Sequence, residues 1–276
     1  MSADLLSPAR TYLFVPGTRP ERFGKALASG ADKVVIDLED AVAADDKATA
    51  RSVVEAWLKR AAPGEQSRVV VRINDANSRW YAADLAALGD THGIGVLLPK
   101  AESAAQIVET RAALPGAGIL ALIESARGVS EVNRIAAAGV QRLVFGTLDF
   151  ALDLDMDISS DGSGLAYAAS RIAIASRLAG LPPPVAGVTP QLDDEQRLLA
   201  DLADARRHGF GAKLCIHPRQ VQPIHAALRP TPDALDWARR VLDADAASPG
   251  AARLDGRMVD RPVVLQARRT LALARA

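Results

Sequence analysis

Aromatic side chains make up only 4% of the 276 residues, and there is a single cysteine, Cys215. One cysteine excludes an internal disulfide, and with no apolar h-region behind Met1 the expected setting is the cytoplasm. No apolar stretch approaches the length of a membrane span, so none is expected. Charge of one sign is also missing: 33 basic residues meet 33 acidic ones, and the pI is about 6.9. That balance argues against non-specific attraction to nucleic acid or to acidic membranes, while leaving room for a local basic pocket. Scarce aromatics leave few platforms for stacking sugars. What the chain does hold is apolar residue, at 49%, ample for one large domain or for a domain plus an appendage.

Those apolar residues fall into short runs. Strands are predicted at 11-TYLFVPG, 32-DKVVIDLED, 68-RVVVRIN, 93-GIGVLLPK, 118-GILALIES, 142-RLVFGTLDF, 184-PVAGVTP and 212-AKLCIHP. Between them, segments such as 44-ADDKATARSVVEAWLKRA, 103-SAAQIVETRAAL and 193-DDEQRLLADLADARRHG place apolar residues at three- and four-residue spacing, the period of an amphipathic helix. Ser103, Ser130 and Asp193 are the expected N-caps, and Gly30, Gly139, Gly180 and Gly209 the expected stops. Eight β-then-α units with near-continuous apolar strands predict an α/β fold, a closed (β/α)₈ TIM barrel over residues 1–225. A doubly wound open sheet is the competing reading, but no glycine-rich dinucleotide fingerprint follows the first strand. Residues 226–276 break the pattern. They predict a C-terminal helical extension with a helix at 231-TPDALDWARRVLDADA, a mobile connection over 247–262 and an arginine-rich last helix over 263–276. Such a tail would be a lid over the barrel or an arm exchanged onto a neighbouring subunit.

In a barrel of this kind the chemistry gathers at the C-terminal ends of the strands. The second strand is expected to end in Asp37, Glu39 and Asp40, the third in Arg72 and Asn74, the fourth in Lys100, the fifth in Glu124, the sixth in Asp149 and the eighth in His217. Taken singly, each reads as well as a solvated strand end. As a set they converge on one mouth. Glu124 and Asp149, on neighbouring strands, would repel unless protonated or bridged by a cation. Two carboxylates with water and substrate oxygens suit Mg²⁺. Zinc does not fit, because His92, His208, His217 and His225 show no ligand spacing. Paired glycosidase carboxylates are disfavoured by the low aromatic content. Arg72 is left to hold an anionic substrate by bidentate contact. Asp37 and Glu39, two apart, are expected to share one side of the strand and to hold metal-bound water or orient Arg72, with Asp40 facing elsewhere, toward the next helix. Lys47 and Arg51 read as an ordinary solvated helix face, and Cys215 as a buried, inert thiol.

The segments 14-FVPGTRPERFGKAL, 36-IDLEDAV, 71-VRIN, 98-LPKAES, 122-LIESARGV, 146-GTLDF and 216-IHPRQV, in that order, resemble the citrate lyase beta subunit. More broadly, the chain resembles the acyl-CoA lyases of the HpcH/HpaI aldolase superfamily, malyl-CoA and citramalyl-CoA lyases among them. That resemblance implies a Mg²⁺-dependent barrel, assembled as a homotrimer, that makes or breaks a C–C bond between an acyl-CoA thioester and a small 2-oxo acid. It further implies Glu124 and Asp149 as metal ligands and Arg72 as the grip on the oxo-acid carboxylate. Phe14, Arg19 and Lys25 become contacts to coenzyme A, and Asp260 an acid/base presented by the tail to a neighbouring subunit. Thr147 and Leu148 ahead of Asp149, and the run 184-PVAGVTPQLDD, depart from the pattern and bear on specificity. Alternatives within the resemblance are an acyl-carrier-protein thioester as substrate in a citrate lyase complex, a malyl-CoA thioesterase, and a CoA-binding barrel without chemistry.

Overall fold

Eight parallel strands close on themselves in sequence order in the computed structural model of the chain, which describes residues 9–159, 162–248 and 252–274. The strands are β1 (Thr11–Pro16), β2 (Lys33–Asp37), β3 (Val69–Arg72), β4 (Gly95–Leu98), β5 (Gly118–Ile123), β6 (Arg142–Phe145), β7 (Val185–Ala186) and β8 (Ala212–Cys215). Helices α1 (Pro20–Leu27), α2 (Lys47–Leu58), α3 (Pro63–Gln66), α4 (Tyr81–Leu88), α5 (Ala104–Ala113), α6 (Ala126–Ala137), α7 (Thr147–Asp153), α8 (Ala166–Leu178), α9 (Glu195–Arg207) and α10 (Val221–Leu228) follow the strands. The predicted TIM barrel is therefore the observed fold. Among the described residues, no helix is long and apolar enough to cross a membrane.

Strand side chains alternate between the barrel axis and the helical ring. Tyr12, Val35, Val70, Leu97, Leu120, Leu122, Val144, Val185, Ala212 and Leu214 form the buried axial core. Carrying the same parity to the strand ends turns Phe14, Asp37, Arg72 and Glu124 toward the axis at the C-terminal mouth. At the opposite end the inward side chain is Arg142, first in β6 and buried. Its Nε donates to Pro183 O (2.7 Å), and its Nη1 to Ala9 O (2.6 Å) and Tyr12 Oη (3.1 Å). The guanidinium also lies 5.7 Å from the Tyr12 ring centre. The N-terminal end is thus closed by a cation bonded to two carbonyls and a phenol.

Several local expectations shift. Ser103 caps α5 as anticipated, and the four stop glycines all have positive φ. Ser130, however, lies inside α6, whose cap is Ser125, and α9 is capped by Asp194 rather than Asp193. Strand β6 stops at Phe145, and Asp149 sits in the first turn of α7, where a carboxylate suits the helix dipole. Strand β7 shrinks to two residues behind Pro182, Pro183 and Pro184, which lack the N–H a ladder needs. His217 lies beyond β8, where its side chain caps a 3₁₀ turn by accepting from Arg219 N.

The chain divides into two compact units, residues 9–224 and a second from His225 onward. In the second, α11 (Pro232–Ala247) is capped by Thr231, which accepts from Ala234 N. The expected connection instead carries a hairpin, β9 (Ala252–Leu254) and β10 (Arg257–Val259), as far as it lies within the described residues. Its two-residue turn is Asp255–Gly256, with φ of 51° and 77°, the pairing that suits a hairpin's twist. Helix α12 (Arg261–Leu273) packs on α11 around Ala238, Val241, Val264 and Ala267.

Candidate active site

At the C-terminal mouth the guanidinium of Arg72 is clamped by Asp37. Nε donates to Oδ1 and Nη2 to Oδ2, both at 2.7 Å. The pairing joins the last residues of adjacent strands, since Asp37 and Arg72 are in register. Nη1 donates to Asp40 Oδ2 at 3.2 Å. Asp40 therefore turns back to the arginine and not toward the next helix. Glu39 Oε2 lies 2.9 Å from the same Nη1 without hydrogen-bond alignment, and its Oε1 accepts from Lys100 Nζ at 3.1 Å. The Phe14 ring stands 5.0 Å from the guanidinium carbon, completing a cation–π face.

The turn that carries these acids is held from behind by Lys47. This lysine shares the buried stripe of α2 with Ala50, Val54 and Leu58, so it is not on a solvated face. Its ammonium donates to Leu38 O (2.8 Å), Glu39 O (2.7 Å) and Asn74 Oδ1 (2.6 Å), which uses all three protons. Asn74 in turn donates to Asp84 Oδ2, and Arg51 Nε to Asp84 Oδ1. Helical spacing would have flagged Lys47, since position 47 belongs to the apolar stripe. The same spacing would have flagged Asp84, which shares the buried stripe of α4 with Tyr81, Leu85 and Leu88.

Across the mouth stands Glu124, buried just past β5. One oxygen accepts from the backbone N–H of Lys100 at 2.7 Å. The other faces Gly146, where an added Cβ would lie 2.5 Å away. Glycine is therefore required beside Glu124, since the added Cβ would also lie 2.7 Å from Glu124 Cβ, which no change of rotamer relieves. Burial, then the charge of Glu39, push the Glu124 carboxyl up to about 8 against the pull of the Lys100 N–H, with Asp149 adding to the rise. Glu39 is also raised, by burial first, against the pull of Arg72. Phe14, Asp37, Asp40, Arg72, Glu124 and Asp149 line one cavity of about 460 Å³, whose apolar walls include Leu122, Val188, Leu214 and Ile216. Once Glu124 gives up its proton, the carboxylates Asp37, Glu39, Asp40, Glu124 and Asp149 outnumber the cations Arg72, Lys47 and Lys100 by two, an imbalance that one divalent ion would cancel. No group of three or more His, Cys, Asp or Glu side chains forms a metal cluster among the described residues. Two carboxylates with room for water and ligand oxygens are what Mg²⁺ accepts.

Arg19 and Lys25 are not among the residues that line this cavity. Arg19 is exposed just before α1, with Nη1 4.0 Å from Glu21 Oε1, and Lys25 is exposed in the last turn of α1. Asp260 belongs to the second unit. There it caps α12, with Oδ1 accepting from Val263 N at 3.1 Å. Cys215 is fully buried and its thiol is pushed up to about 12, first by burial, which suits the inert role expected of it.

A closed barrel with an acid-rich, arginine-bearing cavity at its C-terminal mouth is the build of a (β/α)₈ enzyme. The chain belongs to the HpcH/HpaI aldolase/citrate lyase family, which matches residues 10–218. It is 38% identical over 271 residues to the citrate lyase subunit beta-like protein of Mycobacterium tuberculosis, covering 95% of this chain and 94% of that one. It is 33% identical over 274 residues to the (3S)-malyl-CoA thioesterase of Cereibacter sphaeroides, covering 98% and 95%. Among solved structures, CitE from M. tuberculosis in complex with magnesium, acetoacetate and coenzyme A superposes with a TM-score of 0.86. That match has 36% identity and covers 98% of this chain and all of that one.

Proposed function

We propose that this protein is a Mg²⁺-dependent enzyme acting on the bond between an acyl-CoA thioester and a small 2-oxo acid. The observation that carries the reading is the single cavity in which Glu124 and Asp149 share space with a buried, carboxylate-clamped Arg72. Glu124 and Asp149 would hold the ion. When bound, it supplies Lewis-acid polarisation of the oxygen next to the substrate carboxylate.

The side chains supply orientation and charge. Asp37 fixes the guanidinium plane, so that Arg72 meets a substrate carboxylate in one attitude and offsets charge growing on the neighbouring oxygen. Leu122, Val188, Leu214 and Ile216 keep that end of the cavity apolar, which strengthens each of these interactions. Phe14, Arg19 and Lys25 meet the coenzyme A portion. Asp260 is the acid/base, protonating the thioester α-carbon on cleavage and accepting that proton on condensation. Its Oδ1 is engaged by the α12 cap, and its Oδ2 is the oxygen left for proton transfer. The tail would carry it to a neighbouring subunit of a cytoplasmic homotrimer.

The malyl-CoA thioesterase among the relatives supports a second outcome, hydrolysis of the thioester. Purified protein with Mg²⁺ and malyl-CoA or citramalyl-CoA separates the cases by chromatography of the products. Acetyl-CoA marks a lyase, and free CoA with malate or citramalate a thioesterase. Turnover of an acyl-carrier-protein thioester alone would mark a citrate lyase subunit. Failure of every thioester, with CoA still bound, would reduce the protein to a binding barrel and refute the proposal. Glu124→Ala is expected to abolish turnover.

A further inference from the structure

Lys100 follows β4 with φ of 45°, in the left-handed region. The other described non-glycine residues found there are Asp155 and Asp255, of a type that tolerates it; lysine has no such local compensation. Two bonds hold the conformation in place. The Lys100 backbone N–H donates to Glu124 Oε1 at 2.7 Å, and its ammonium donates to Glu39 Oε1 at 3.1 Å. The sheet ladder resumes at the next residue, where Ala101 N donates to Leu122 O at 3.0 Å. One residue thus grips two carboxylates from opposite sides of the mouth.

The condition of Glu39 shows what that grip does. Its Oε2 is buried and 2.9 Å from Arg72 Nη1, yet it accepts no hydrogen bond, while Nη1 donates to Asp40 instead. Glu39 is held at ion-pair distance in the wrong alignment to bond. We propose that Lys100 is a positioning residue: by tethering Glu39 Oε1 it stops Glu39 from completing a hydrogen-bonded pair with Arg72, and so reserves the Nη1 edge for the carboxylate of the 2-oxo acid. This rests on the proposed function, which makes Arg72 the carboxylate anchor. Asp40, exposed and at 3.2 Å, is the partner that a ligand carboxylate displaces.

The test is a double-mutant cycle, with pyruvate as the probe titrated calorimetrically into Mg²⁺-saturated protein. Lys100→Met is expected to weaken pyruvate binding about tenfold, a coupling within the usual range for contacting residues. In the Glu39→Gln background the same substitution is expected to change binding less than about threefold, because the group it restrains has lost its charge. Lys100→Arg should recover part of the loss. Lys100→Gly, which accepts the left-handed backbone and keeps the N–H to Glu124, should reproduce the loss without lowering thermal stability. A tenfold loss that persists in the Glu39→Gln background would mean that Lys100 meets the ligand directly, and would overturn the proposal; so would unchanged affinity in Lys100→Met. Should the wild type bind neither Mg²⁺ nor pyruvate, the proposed function fails and metal-free crystal structures decide the Lys100 question. Rotation of Glu39 into a hydrogen bond with Arg72 Nη1 in Lys100→Met supports the tether, and an unmoved Glu39 refutes it.

Discussion

Raising the pH in the absence of metal should weaken this protein, and Glu124 determines by how much. Its folded carboxyl holds a proton up to about pH 8, whereas in the unfolded chain it releases it near 4.5. Between those values the folded state binds the extra proton, so unfolding stability falls as pH rises. The contribution is fully present below about 4.5 and gone above about 8. At about 1.4 kcal/mol per pH unit, the loss from pH 5 to 7.5 is on the order of 3 kcal/mol. A divalent ion on Glu124 needs the carboxylate, so binding must expel that proton. At pH 7 about nine molecules in ten carry it, giving roughly 0.9 proton released per ion and an apparent affinity that rises about tenfold per pH unit up to 8. Urea unfolding of wild type and Glu124→Gln in EDTA from pH 5 to 8.5 isolates the carboxyl. Calorimetric Mg²⁺ titration in two buffers of different ionisation enthalpy counts the protons. Equal pH slopes for the two proteins, or Mg²⁺ binding at pH 7 without proton release, would refute the reasoning.

Three further outcomes are expected. Gly146→Ala places a methyl group 2.5 Å from Glu124 Oε2 at a backbone with φ of −86°, so Mg²⁺ affinity should fall at least about tenfold with a stability loss of only about 1–2 kcal/mol, read by calorimetry and urea midpoint. Lys47→Met strands Leu38 O, Glu39 O and Asn74 Oδ1, costing about 3 kcal/mol in urea unfolding, and Lys47→Arg should not restore it, because a guanidinium cannot fill the same buried site. Gly256→Ala forces a Cβ into φ of 77° and should cost about 1–2 kcal/mol, seen as faster hydrogen exchange in β9 and β10 while the barrel amides stay unchanged.

The barrel was readable because its strands are unbroken apolar runs separated by helix-period segments, and because each stop glycine marks a chain reversal. The tail hairpin was not, since two three-residue strands are too short for a period of two to show. Its one cue is the Asp-Gly pair in LDGRMV, which suits a loop as well as a hairpin turn. At the mouth, charged residues directly after apolar runs point to Asp37, Arg72 and Glu124, and strand parity pairs Asp37 with Glu39. Asp149 reads as a strand end in the sequence yet sits in α7, because GTLDF continues an apolar run that a strand and a short helix share. The left-handed backbone of Lys100 has no sequence cue at all. It is imposed by Glu124 on the neighbouring strand, a tertiary effect that overrides local preference.

The barrel carries an arginine at each end of its axis, and the two keep different company. Arg142 is bonded to two carbonyls and a phenol, and its buried Nη2 is left without a hydrogen-bond partner. Arg72 is held by carboxylates, which can be swapped or displaced. One end of the barrel is therefore a foundation built on backbone and phenol oxygens, and the other a socket whose carboxylate occupants are exchangeable. Substitutions among the socket acids can retune what the protein accepts while the foundation goes on holding the strands in place. A new specificity in this fold need not begin by risking the fold itself.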